Sequence, residues 1–177
     1  RPYERSPNTI SMPCTDESFK KVLAQFQESA HPFVLTPGDN DWTDCHLLKA
    51  QKVDPLDRLA KVREMFYPDG RSLGRRTIAV ESQANDPKFG KFRENLTWSV
   101  GNVTFATMHV VGSNDNKGRT PEMDAEAAER TDANIAWLKK AFADGATFWV
   151  WGCSATRHTR RKAIEMNKRR HPDGTFF

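Results

Sequence analysis

The sequence has no apolar run near the roughly 18 residues that a helix needs to cross a membrane, which excludes an α-helical span. Its three cysteines, Cys14, Cys45 and Cys153, form no CxxC pair, so neither a thiolate metal knuckle nor a dithiol redox motif is written into it. There is no internal repeat and no low-complexity tract, which removes repeat architectures. No signal peptide is visible, although the sequence opens on Arg1 rather than Met and so leaves room for a leader already removed.

What is present suits one soluble globular domain: 177 residues, of which 37% are hydrophobic and 28% charged. The net charge of +4 is unevenly spread. Residues 157–171, "RHTRRKAIEMNKRRH", hold seven Lys or Arg against one acid, a local +6, which leaves the rest at −2. A near-neutral body with a basic tail argues against a general polyanion-binding surface. Cys14 precedes the first expected helix and Cys45 follows the first expected strand, so the two can meet in space. Two ordinary thiols is the preferred reading; a disulfide, and with it an oxidising, extracytoplasmic compartment, is the other.

"TDESFKKVLAQFQESA" predicts a helix over 16–29, with Thr15 as N-cap and Phe19, Val22, Leu23 and Phe26 on one face. His31-Pro32 breaks it, and residues 33–36 read as a strand. "DPLDRLAKVREMFYPDG" predicts a second helix, capped by Asp54, with Pro55 in the first turn. Residues 69–92 read as irregular with a short strand at Thr77 to Val80. "LTWSVGNVTFATMHVV" predicts a hairpin: Leu96, Trp98 and Val100 alternate with polar residues, Gly101-Asn102 turns the chain, and Val103 to Val111 returns. Thr120 and Pro121 start a long helix with Ile135, Leu138 and Phe142 on its apolar stripe, ending by Gly145, and "ATFWVWG" follows as a short buried strand. The order implies an α/β fold, a layered β-sheet with flanking helices, over 15–152, followed by a flexible basic tail over 153–177.

The polar knot "TPGDNDWTDCH", residues 36–46, sits directly after the first strand, where a loop can aim side chains at one point. Gly38 is expected to let the chain turn sharply, and Asp39, Asn40 and Asp41 offer hard oxygen ligands, with His46 as an imidazole. The same residue types are common in turns, where Asx side chains bond their own backbone. Asp44 is read as a cap of a short helix, His46 as packing at a helix start, and His109 as a packed or surface histidine within a strand.

Taken in order, "HPFVLTPGDND", "LTWSVGNVTFATMHV" and Trp137-Leu138 resemble the calcineurin-like metallophosphoesterase superfamily, across about residues 19–143. The closest pattern is a divergent bacterial-type branch whose loop reads Gly-Asp-Asn-Asp/Glu-Trp. The resemblance implies a partial domain of the four-layer αββα type and hydrolysis of a phosphoester substrate. It implies divalent metal ions (Mn, Mg, Fe or Zn), two in a complete member. Asp39 then takes the place of the metal-binding Asn. Asn40 stands where that family has a His that assists at the phosphate; an amide can donate a hydrogen bond there but not a proton. Asp41 takes the acidic position that orients its neighbours. A rival alignment makes Gly38-Asp39 the earlier metal-bridging motif; "GSND", 112–115, is then the nearest later counterpart.

Residues 1–14 contain no Asp or His, so the family's first Asp-x-His strand is missing, and after the long helix only His158 stands near the expected Gly-His-x-His loop. The expectation is therefore a piece of a longer protein, or else a degenerate homologue. The alternative function is a non-catalytic α/β domain that binds nucleic acid or another anionic partner through the basic tail.

Overall fold

The computed structural model describes residues 14–47 and 53–145. The expected strand "ATFWVWG", residues 146–152, with Trp149 and Trp151, the boundary at 152, and the basic tail with Cys153 and His158 lie outside the described residues. Helix α1 is Asp16–Gln27, started by Thr15, whose hydroxyl accepts from the Ser18 amide. It ends two residues before the predicted end. Its apolar face meets α2, Pro55–Phe66, which is capped as expected by Asp54 accepting from the Leu56 amide. Phe19 is buried where the two helices meet, edge-on to Phe66 with ring centroids 6.0 Å apart. Truncating it to Ala would remove about 3–5 kcal/mol, since a packed aromatic leaves a cavity that its surroundings fill only partly.

The chain between the helices makes little regular β structure. Residues 33–36 run extended but form only one bridge, in which Phe33 and Leu73 exchange both backbone hydrogen bonds at 2.9 Å. Pro32 and Pro37 flank the segment, and neither has an N–H to extend a ladder. The short strand expected at Thr77 to Val80 reduces to a bridge between Arg71 and Ala79, and the pairing moves on to β1, Glu81–Ser82. Gly74, at φ 99°, cannot be another residue: a Cβ there would stand 2.3 Å from the His31 carbonyl oxygen.

The hairpin is as predicted in its first half. Strands β2, Leu96–Val100, and β3, Val103–Ala106, pair antiparallel around Gly101, and Trp98 stacks on its partner Phe105. With β1 they form a three-stranded antiparallel sheet in the order β1-β2-β3. The return strand stops at Ala106 rather than Val111. From there side-chain amides replace the ladder: Asn95 Oδ1 accepts from the His109 backbone N–H at 2.9 Å, and Asn134 Nδ2 donates to the His109 carbonyl at 2.7 Å. Asn134 belongs to α3, Pro121–Ala143, which Thr120 caps by accepting from the Met123 amide. The fold is thus α/β in the broad sense, helices packed with a small sheet. No helix among the described residues is long and apolar enough to cross a membrane.

Cys14 and Cys45 are joined in a disulfide, which overturns the preferred reading of two thiols. The bond ties the start of α1 to the second turn of the polar knot, and both cysteines are buried. Because it closes a sequence separation of 31, the loop-closure account assigns it about 3.5 kcal/mol. Replacing both cysteines by Ala should lower the urea-unfolding free energy by about that amount. An unchanged midpoint at pH 7 would show that the bond is not formed in solution.

Candidate functional site

Asp39–Asp41 forms a single 3₁₀ turn that leads through Trp42 into a second, Thr43–Leu47. Gly38 adopts φ −99° and ψ −178°, ordinary extended backbone, so the sharp turn expected of a glycine is not made there. Each acid of the first turn bonds its own backbone. Asp41 Oδ2 accepts from the Gly38 amide at 2.6 Å, and Asp39 Oδ1 accepts from the Asn40 amide at 3.0 Å. Burial pushes the Asp41 carboxyl up, the Gly38 amide opposes this, and the charge of Asp39 adds to the rise. Asp39 Oδ2 and the exposed Asn40 side chain make no hydrogen bond among the described residues.

The second turn behaves differently from its expectation. The buried Asp44 caps no helix; its Oδ1 accepts from the Ser113 hydroxyl. His46 is partly buried and donates from Nδ1 to the Thr43 carbonyl at 2.7 Å, so it does not join the Asp39 turn. Thr43 donates to Asn116 Oδ1 at 2.7 Å, and Arg119 reaches both. The knot is therefore bonded to Ser113 and Asn116 of "GSNDN", residues 112–116, and to Arg119 just after it. Four consecutive residues there, Ser113 to Asn116, have φ between 49° and 63°. Left-handed backbone is costly for non-glycine residues and least so for Asn and Asp.

Underneath lies a buried polar chain that pattern reading did not foresee. Glu94, fully buried, receives two hydrogen bonds from Arg63 Nε and Nη2, at 2.9 and 2.6 Å, in a bidentate pair. Glu94 Oε1 also accepts from His109 Nδ1 at 2.7 Å. The opposite nitrogen, His109 Nε2, accepts the Trp42 indole N–H at 3.0 Å. An indole can only donate, so His109 carries its proton on Nδ1 and is neutral. His109 is buried and lies beyond the end of β3, which settles the packed alternative. Arg63 Nη2 continues to Glu126 at 3.3 Å, Glu126 pairs with Arg130 on the next turn of α3, and Arg130 Nη1 bonds Asp115 at 2.6 Å. Among the described residues, Asp115 Oδ2 takes no hydrogen bond, although Lys117 Nζ stands 3.3 Å away, and Asn116 Nδ2 has no partner either. The one hint in sequence was the spacing Glu126, Arg130, Asn134, which puts three polar groups on the buried face of α3.

Among the described residues, no group of three or more His, Cys, Asp or Glu side chains could hold a metal ion. Asp39 and its neighbours in the turn therefore do not fit a two-cation centre. A cleft of about 430 Å³ opens elsewhere, between Trp98 on the sheet and Asp144 after α3, and shares no residue with the knot. No family model matches the chain, and no curated protein or solved structure is significantly similar to it.

Burial alone would raise the Glu94 carboxyl, but the Arg63 charge and the His109 N–H overcome it and hold the pKa at about 2. Burial pushes His109 down, with Glu94 pulling the other way. Both groups bind protons more readily in the unfolded chain, so both make stability fall with acid. The His109 part begins to go as pH drops below about 6.5, and the Glu94 part between about 4.5 and 2. The latter is on the order of 3 kcal/mol. Urea midpoints recorded from pH 7 to pH 3 should decline in both windows, and in Glu94→Gln the lower window should flatten.

Proposed function

We propose that the chain is a metallophosphoesterase-like domain, part of a four-layer αββα fold, that acts on phosphoesters with divalent cations. The observation that carries this reading is a turn anchored through its neighbours, with two polar groups that take no partner among the described residues. Among the described residues, Asp39 Oδ2 and the Asn40 side-chain amide take no hydrogen bond, while Asp41, Trp42, Thr43 and Asp44 are each tied to a partner. Groups held still by their neighbours lose little freedom when a ligand arrives. Asp39 is the residue that would offer a carboxylate oxygen to a cation, and Asn40 the one that would donate to a phosphate oxygen. Asp41 holds the turn by accepting the Gly38 amide. A cation pair would need ligands beyond those that the described residues supply. The disulfide fits an oxidising, extracytoplasmic compartment.

Calorimetric titration with Mn²⁺ and Mg²⁺ tests the reading, alongside release of 4-nitrophenol from its phosphate mono- and diesters. Wild type should bind Mn²⁺, and Asp39→Ala should weaken binding by at least about tenfold, close to 1.4 kcal/mol. Equal affinity in the two proteins, or no binding in either, would end the phosphoesterase reading.

A further inference from the structure

We infer that His109 is a positioning residue for the Asp39–Asp41 turn, acting through Trp42. The phosphoesterase reading enters only in what the turn is taken to bind. The turn is poorly held by its own backbone: Asp41 N–H reaches the Gly38 carbonyl at 3.3 Å and Trp42 N–H reaches that of Asp39 at 3.4 Å. Both lie beyond the usual range for such bonds. What fixes the end of the turn is the fully buried Trp42 side chain, whose only donor is spent on His109 Nε2.

That acceptor cannot move. The His109 ring is held from the far side by Glu94, which Arg63 grips with two bonds. Its backbone is held by Asn95 and Asn134. Arg130 lies over the Trp42 ring at 5.4 Å, so the indole is secured on its face as well as its edge. Packing against Leu59 and Val111 would keep Trp42 buried in several orientations, because apolar contact is not directional. The hydrogen bond to His109 selects one of them, and with it the direction in which residues 39–41 leave the core.

The test compares His109→Leu with His109→Gln. Leucine fills space without an acceptor, whereas glutamine offers a carbonyl to Trp42 and an amide to Glu94. In ¹H–¹⁵N spectra the Trp42 indole signal should shift in His109→Leu and return in His109→Gln. The amides of Gly38, Asp41 and Trp42 should exchange at least about tenfold faster in the Leu variant, while those of Val22 and Leu23 in α1 keep their wild-type rates. Should His109→Leu not fold, Trp42→Phe removes the donor instead and the same amides decide. Unchanged exchange at the turn overturns the inference, and so does an equal loss in the Gln and Leu variants, which would mark a packing role. None of these readouts needs a ligand, so absent Mn²⁺ binding in wild type strikes the proposed function and leaves the positioning claim to the amides.

Discussion

One carboxylate organises the interior. Glu94 sits in the turn before β2 with no exposure, and a bare charge there would be unaffordable in free energy. It is stable only because Arg63 from α2 and His109 from beyond β3 arrive at the same point with the right donors. Three separated stretches of chain are thereby required to meet in one geometry. Apolar contacts around them tolerate small slips, but a buried ion pair missing one partner typically costs 3–5 kcal/mol. Loss of either partner would leave an uncompensated charge in the core.

From that point the constraint spreads to both turns of the candidate site. Through His109 it reaches Trp42 and the Asp39 turn; through Glu126 and Arg130 it reaches Asp115 and the left-handed run from Ser113 to Asn116. Such backbone persists only where the surroundings over-determine it. Here Arg130 grips Asp115 through both its side chain and its carbonyl, while Thr43 and Arg119 grip Asn116. The two Gly-x-Asn-Asp stretches, 38–41 and 112–115, thus end up in one bonded assembly.

Much of the helical structure was legible beforehand. Thr15, Asp54 and Thr120 cap the helices they were expected to cap, and Pro55 and Pro121 occupy first turns. The hairpin around Gly101 could be read from alternation and the Gly101-Asn102 turn. The strands were overread. Residues 33–36 and 107–111 have β-forming composition, yet the first makes a single bridge, and the second keeps the backbone bond of Thr107 to Leu96 before the side chains of Asn95 and Asn134 take over at His109. At the site, Asp39, Asn40 and Asp41 were picked out by residue type and order, whereas His109 looked like any histidine in a strand.

What the sequence determined by itself is local: where helices start, where the hairpin turns, and which residues could serve as oxygen ligands. Capping, proline placement and alternation act over a few residues, so they are written in adjacent letters. The tertiary structure alone decided which polar residues are buried together, that Cys14 and Cys45 pair, and that Trp42 is bound to a histidine 67 residues away. Those outcomes depend on long-range desolvation and on donors meeting acceptors. A carboxylate on a buried helix face reads in sequence just like one in water until its partner is found.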